Sequence, residues 1–283
     1  MPDTDTNVAS ASPTPKTAPS TAERFFFDNN GYLVLENFLA PDHVARLLAA
    51  LDSAVAHRRA QLAAEPALSR TTLVNGAKST RLLYILEDDP LFLELLDWAP
   101  LMPYVRELIS LKAHYHASDA IVDFASDLMS RQGGWHLDGH DNGYRQLGWP
   151  IPLLQLKVGY YLSDMTSPDR GNLTVVPGSH KALRAPAPED LQRRELFPGA
   201  RQVCAPAGTA ILFHNALWHT AAPFARPELS RTMLYYAYEH HWMLGAEGHW
   251  DYSKDFYNNR LSAEQRKFFH GCLFDPPEHR HFF

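Results

Sequence analysis

The sequence predicts a mainly β protein, a sandwich or barrel with helices packed against one face. Three observations lead there. Short segments rich in β-branched and aromatic residues crowd the chain from Lys112 onward, at 112–117, 119–125, 131–138, 153–163, 172–176, 201–204, 208–214 and 231–239. Proline and glycine punctuate most of the gaps between them. The N-terminal third instead spaces apolar residues three and four apart, the period of a helix with one buried face.

Residues 1–22 are mostly Thr, Ser, Ala and Pro with almost nothing to bury, so a disordered tail is expected, followed by one domain over 23–283. Order is expected from near Phe25, and an Asn29-Asn30-Gly31 turn leads into a short strand, Tyr32-Leu33-Val34-Leu35. Pro41-Asp42 opens a helix whose free N–H groups Asp42 can cap, and Val44, Leu47, Leu48, Leu51 and Val55 form its buried stripe. Shorter helices are expected at Pro90–Trp98 and Pro100–Ile109, each opened by a proline, where the missing N–H costs nothing. Residues 181–200 read as a long loop inserted between strands, and 139–149, with Asp141-Asn142-Gly143, as a flexible turn; both are candidate lids. The aromatic C-terminal segment 240–283 is expected to fold back on the barrel or to join two subunits.

Bulk properties narrow the function. A chain of 283 residues, 45% hydrophobic and 20% charged, is that of a soluble globular protein with a sizeable core. A net charge of −6 offers no attraction for nucleic acid or an anionic membrane. Two cysteines, Cys204 and Cys272, build no disulfide framework and point to a reducing cytoplasm. No apolar run is long enough to span a bilayer, and the opening residues lack the features of a secretory signal. The partners expected are a small-molecule substrate and O2.

Chemistry gathers at Gly133-Gly134-Trp135-His136-Leu137-Asp138-Gly139-His140. On a strand, residues two apart share a face, so His136 and Asp138 set an imidazole nitrogen beside a carboxylate oxygen. One later histidine would complete the 2-His-1-carboxylate set of non-haem Fe(II) oxygenases. A short H-x-D pattern arises often by chance, so the rest of the chain has to support it. The stretch Ile211–Thr220 offers His214 and His219. His219, just past an apolar strand, is the better placed, and His214 reads as a core or supporting residue. Arg231 opens the apolar strand Arg231–Tyr238, where burial demands a partner, and its planar fork suits a carboxylate. Arg226 competes for that role. Pro177-Gly178 suits the centre of a type II turn, with φ > 0 at the glycine. His114 and His116 alternate on a strand like a ligand pair, with no carboxylate placed beside them.

The order of H-x-D, Gly171-Asn172-Leu173-Thr174-Val175-Val176-Pro177-Gly178-Ser179-His180, a distal His and an Arg resembles the phytanoyl-CoA dioxygenase-like family of Fe(II)- and 2-oxoglutarate-dependent oxygenases. The opening Phe27–Leu35 looks like that family's too, so the likeness covers about 23–240. It implies a double-stranded β-helix (the jelly-roll of cupins), with the metal between two facing antiparallel sheets. It also implies that His136, Asp138 and His219 hold Fe(2+), and that Arg231 pairs with the far carboxylate of 2-oxoglutarate. Thr174 and Gln132 are the further candidates for binding the cosubstrate, and His180 is read as structural. The implied activity is hydroxylation, desaturation or ring closure of a small organic substrate, with release of succinate and CO2. The competing reading is a metal-binding barrel without turnover, structural or sensory in role; it has no need of triad, Arg231 and Thr174 together. Trp135, Tyr144, Trp149, Tyr161 and Trp218 are candidates for an aromatic substrate wall.

Overall fold

A computed structural model describes residues 18–64, 72–74, 79–124, 134–138, 147–187, 189, 199–222, 230–243 and 252–269. Gln132, Arg226, Tyr144, Cys272, the tail through residue 17, and residues 139–146, 188 and 190–198 of the two candidate lids lie outside the described residues.

The first helix, α1 (Thr21–Asn30), begins inside the stretch expected to be a tail. Glu23 N–H donates to the Ser20 hydroxyl while Ser20 N–H donates to the Glu23 carboxylate, so a capping box starts the helix. Gly31 ends it at φ 79°, and a Cβ there would come 2.5 Å from His180 Nδ1. The Asn-Asn-Gly turn is therefore a helix C-terminus. Strand β1 (Tyr32–Leu35) and helix α2 (Pro41–Ala64) follow as expected. The α2 stripe buries Val44, Leu47, Leu51 and Ala54, and ends at a buried Arg58 that bonds both oxygens of Asp88 and the carbonyl of Leu83. Two short helices, α3 (Pro90–Glu94) and α4 (Met102–Leu108), cover the expected segments, but Pro103, not Pro100, lies in the first turn of α4.

The strands are β2 (Thr72–Val74), β3 (Ser79–Leu83), β4 (Ala113–Phe124), β5 (Gln155–Tyr161), β6 (Leu173–Val175), β7 (Arg201–Gln202), β8 (Ala210–His214), β9 (His219–Ala221) and β10 (Ser230–His240). The two strands expected at 112–117 and 119–125 are one, β4. Of 131–138 the described part makes a single bridge, His136 to His219. One sheet runs β1-β8-β5-β10-β4-β3-β2 and the other β7-β6-β9, with antiparallel pairing throughout.

Alternation along β10 shows how the layers sit. Leu234, Tyr236 and Tyr238 join the core shared with α2, α3 and α4, where Tyr236 donates to Phe92 O (2.7 Å) and Tyr238 to Leu96 O (2.9 Å). Met233 packs from the other face into a second core with Tyr161, Ile211 and Phe213 of the large sheet and Leu173 and Val175 of the small one. The two sheets thus face each other across a filled interior, a double-stranded β-helix. Between β4 and β10 the register slips beside Ala237, where Tyr238 pairs with Tyr115 and Ala237 with Ala117, leaving His116 as the bulged residue. The described part of the C-terminal segment folds back on β4. Tyr252, Phe256 and Phe269 join the helical core, and the Tyr115 and Tyr252 hydroxyls meet at 2.8 Å.

Candidate metal centre

His219 owes its place to two turns. The first, His214–Leu217, reverses β8 into β9: Leu217 N–H donates to His214 O, and Ala216 N–H donates to His214 Nδ1 at 2.9 Å. His214 is thereby a turn-building residue, its ring 5.0 Å from that of His180. The second follows β6, where Gly178 takes φ 79° and ψ −6°, and Ser179 N–H closes back on Val176 O, the expected type II turn. Ser179 Oγ accepts from Trp218 N–H at 2.9 Å, and Val176 N–H donates to Trp218 O, so this turn clamps the residue before His219.

Asp138 is tied in through Asn215. Its N–H donates to Asn215 O (2.9 Å), while Asn215 Oδ1 accepts from Leu154 and Gln155 at the start of β5. His136 and His219 exchange both backbone hydrogen bonds, at 3.0 and 3.2 Å, and their rings lie 4.2 Å apart. The ligand atoms of His136, Asp138 and His219 come within 4.8 Å of one another, the one such group among the described residues.

The donor set fits a divalent metal. His136 Nδ1–H donates to Gly134 O (2.7 Å) and His219 Nδ1–H to Leu217 O (2.9 Å). A carbonyl can only accept, so each Nδ1 carries the proton and each Nε2 keeps a lone pair for a ligand bond. Burial, aided by His136, pushes the His219 imidazolium down to about 4, so the ring is neutral at pH 7. Burial opposes the charge on Asp138, yet Lys157 first, then His219, His136 and His116, hold its carboxyl below the usual range. Burial pushes His214 further, to about 3, with its Nδ1 occupied by Ala216.

Of the expected cosubstrate residues, Arg231 lies buried on the β10 face that looks into the barrel, and its Nη1 donates to Gly171 O at 2.6 Å. Thr174 is a correction. Leu173 and Val175 point into the interior, so alternation turns Thr174 to the opposite face, where its hydroxyl donates to Asn172 O (3.2 Å). It is not brought together with the triad. Of the aromatic candidates, Trp135, Trp149 and Trp218 gather in one cluster beside the triad with Leu137, Ile151 and Leu154, whereas Tyr161 sits in the barrel core.

Sequence reasoning missed two groups. Lys157 lies 3.8 Å from Asp138 Oδ1. Glu239, fully buried, accepts from His114 Nδ1 (3.2 Å) and His116 Nδ1 (2.6 Å), with Gln155 against His116, so a carboxylate does stand beside that histidine pair. Burial opposes the charge on Glu239, and the two imidazoles outweigh it. The signal available was a charged residue inside an otherwise apolar strand, which must find a partner.

Fold and site together define a double-stranded β-helix protein with the donor set of a facial-triad metal centre. The chain belongs to the phytanoyl-CoA dioxygenase (PhyH) family, whose pattern it matches over residues 27–231. It is also similar to the ectoine dioxygenase of Sphingopyxis alaskensis, 30% identical over 159 residues, which are 55% of this chain and 48% of that protein. The chain thus spans about half the length of the curated relative it matches. HygX from Streptomyces hygroscopicus, solved with nickel and 2-oxoglutarate, superposes with a TM-score of 0.61 over 80% of this chain and 89% of its own, at 20% identity. SnoK, a non-haem α-ketoglutarate-dependent carbocyclase from nogalamycin biosynthesis, gives 0.60 over 88% and 94%, at 19% identity. EctD from S. alaskensis, solved with 2-oxoglutarate and 5-hydroxyectoine, gives 0.58 over 78% and 76%, at 25% identity. HygX and SnoK attest the fold. HygX and EctD have each also been solved with iron.

Proposed function

We propose that this protein is an Fe(II)- and 2-oxoglutarate-dependent dioxygenase that hydroxylates, desaturates or cyclises a small polar substrate. One observation carries the reading: two imidazoles with free Nε2 lone pairs and one ionised carboxylate converge on a common point. His136, Asp138 and His219 would hold the metal. When bound, Fe(II) supplies O2 activation coupled to the decarboxylation of 2-oxoglutarate to succinate and CO2. The protein's own part is geometry. Backbone carbonyls fix both tautomers, and Arg231 offers a fork to the far carboxylate of the cosubstrate.

The register supports a division of the barrel. Along the interior face of β10 come Arg231, Met233, Tyr235, Ala237 and Glu239, and Ala237 stands opposite Lys157, at the level of Asp138. Arg231 lies to one side of the metal centre, and Glu239 with His114, His116 and Gln155 to the other. We assign the first side to 2-oxoglutarate and the second to substrate. A wall of imidazole, amide and carboxylate favours a polar substrate over a bare acyl chain, with the tryptophan cluster as its apolar rim. EctD, which binds 5-hydroxyectoine, is a relative with a ligand of that kind. The scarcity of cysteine, two in 283 residues, favours a reducing compartment such as the cytoplasm.

The test is succinate formation from 2-oxoglutarate by Fe(II)-loaded protein, with His136→Ala as control, across a panel of polar and acyl compounds. Imidazole and carboxylate donors accept nickel or zinc as well, so the protein is stripped with chelator before loading. Protein that binds Fe(II) and 2-oxoglutarate yet forms no succinate with any compound is instead the metal-binding barrel without turnover.

A further inference from the structure

Lys157 is the one charged residue of β5, and the metal chemistry leaves it without a task. Alternation puts it on the face of Tyr161, looking into the barrel, opposite Phe213, whose ring lies 5.0 Å from that of His219. Lys157 and Asp138 are 18% and 19% exposed, and their 3.8 Å separation is too long for a hydrogen bond. The ammonium therefore neutralises Asp138 without committing its N–H donors to it. The two carboxylate oxygens face apart: Oδ1 looks to Lys157, and Oδ2 lies 3.7 Å from His219 Nε2. Another cation whose charge reaches Asp138, Arg81, is occupied: its Nε donates to Asp119 at 3.1 Å and its Nη2 bonds the same oxygen. Among the described residues, the Lys157 ammonium makes no hydrogen bond.

The charges decide what the lysine does. Without metal, Lys157 and Asp138 cancel. A divalent ion adds two positive charges, and the one carboxylate cannot answer both the ion and the ammonium. In a partly buried site that excess weakens metal binding. A dicarboxylate entering beside them removes it.

We propose that Lys157 is a second cationic anchor for 2-oxoglutarate, at the metal end of the barrel, and that it makes metal and cosubstrate bind cooperatively. This rests on the metal-centre reading above. Arg231 takes the far carboxylate. Lys157, six positions along the barrel wall from Arg231 by the β10 register, donates to the carboxylate nearer the metal. The ammonium opposes the ion until the cosubstrate arrives, and then both share the same anion.

The experiment is anaerobic titration calorimetry with Mn2+ as probe, with and without saturating 2-oxoglutarate. It compares the unmodified protein with Lys157→Met, Lys157→Arg and His136→Ala. Lys157→Met is expected to bind Mn2+ alone as tightly as the unmodified protein or more so. The factor by which 2-oxoglutarate tightens Mn2+ should fall about tenfold in that variant, the loss of one charge-assisted hydrogen bond. Lys157→Arg should keep most of the factor. If Lys157→Met does not fold, Lys157→Gln carries the same expectation. An undiminished factor in the neutral variant overturns the proposal. Weaker binding of Mn2+ alone also overturns it, because that marks a lysine that merely orients Asp138. An unmodified protein no better than His136→Ala at binding Mn2+ sinks the metal centre itself, so the two failures are told apart.

Discussion

Replacing Arg231 by Gln removes a buried fork from the interior face of β10. The residue is 5% exposed and donates to Gly171 O at 2.6 Å. Its bond to the cosubstrate carboxylate would be charge-assisted, worth roughly 1.5–3 kcal/mol. At about 1.4 kcal/mol per factor of ten, the Kd of 2-oxoglutarate should rise roughly ten- to a hundredfold. Arg231→Lys keeps the charge but not the fork, so a rise near the lower end, about tenfold, is expected. Mn2+ affinity without cosubstrate should change by less than about twofold, because the group that would hold the ion is His136, Asp138 and His219, and Arg231 supplies it no ligand atom. Both constants come from calorimetry on Mn2+-loaded protein under argon. The carbonyl of Gly171 loses its donor in Arg231→Gln, costing about 1–3 kcal/mol of stability, so thermal unfolding is recorded on the same samples. Folded Arg231→Gln that binds 2-oxoglutarate within about twofold of the unmodified protein refutes the assignment. If Arg226→Gln then weakens binding, the role passes to Arg226.

Three further expectations can be checked on the same material. His219→Ala should weaken Mn2+ binding at least about a hundredfold, whereas His214→Ala should leave it within about threefold and lower stability by roughly 1–3 kcal/mol, since Ala216 N–H loses its acceptor; the opposite ranking by equilibrium dialysis would exchange the two residues. The metal-free protein should lose stability in acid, because His219 and His214 titrate at about 4 and about 3 when folded and near 6.5 when unfolded. Below 6.5 the unfolded chain binds the extra protons, so their contribution is complete above pH 6.5 and falls progressively towards pH 3–4, by about 2 kcal/mol per histidine at pH 5. Urea unfolding at pH 7.5 and 5 measures this, and His214→Gln should shrink the difference; a difference unchanged in that variant refutes the attribution. Asp88→Ala should destabilise by about 3–5 kcal/mol, because it leaves Arg58 of α2 charged and buried without its partner carboxylate; a urea midpoint unmoved by the change would show that the pair adds nothing.

The sequence by itself determined whatever depends on neighbours along the chain. The α2 stripe, the short β1, the positive φ at Gly178 and the pairing of His136 with Asp138 all follow from local period or turn chemistry. The capping box of α1 was equally legible in Ser20-x-x-Glu23 and was outweighed by the polar composition around it. Thr174 failed for a related reason. Its position in a strand says that it lies on one of two faces, and only the packing of Leu173 and Val175 into the barrel says which. Tertiary structure alone decided what crosses between strands. The preference for His219 over His214 was already legible in its place just past an apolar strand, and what the structure adds is a turn that occupies His214 Nδ1 and a bridge that sets His219 against His136. The carboxylate beside His114 and His116 comes from β10, more than a hundred residues away, and the bulge at His116 lets both rings reach it. Lys157 finds Asp138 in the same manner. Period tells how often a side chain returns to a face, whereas register and bulges decide what it meets there, and those are fixed by closure of the two sheets on one core.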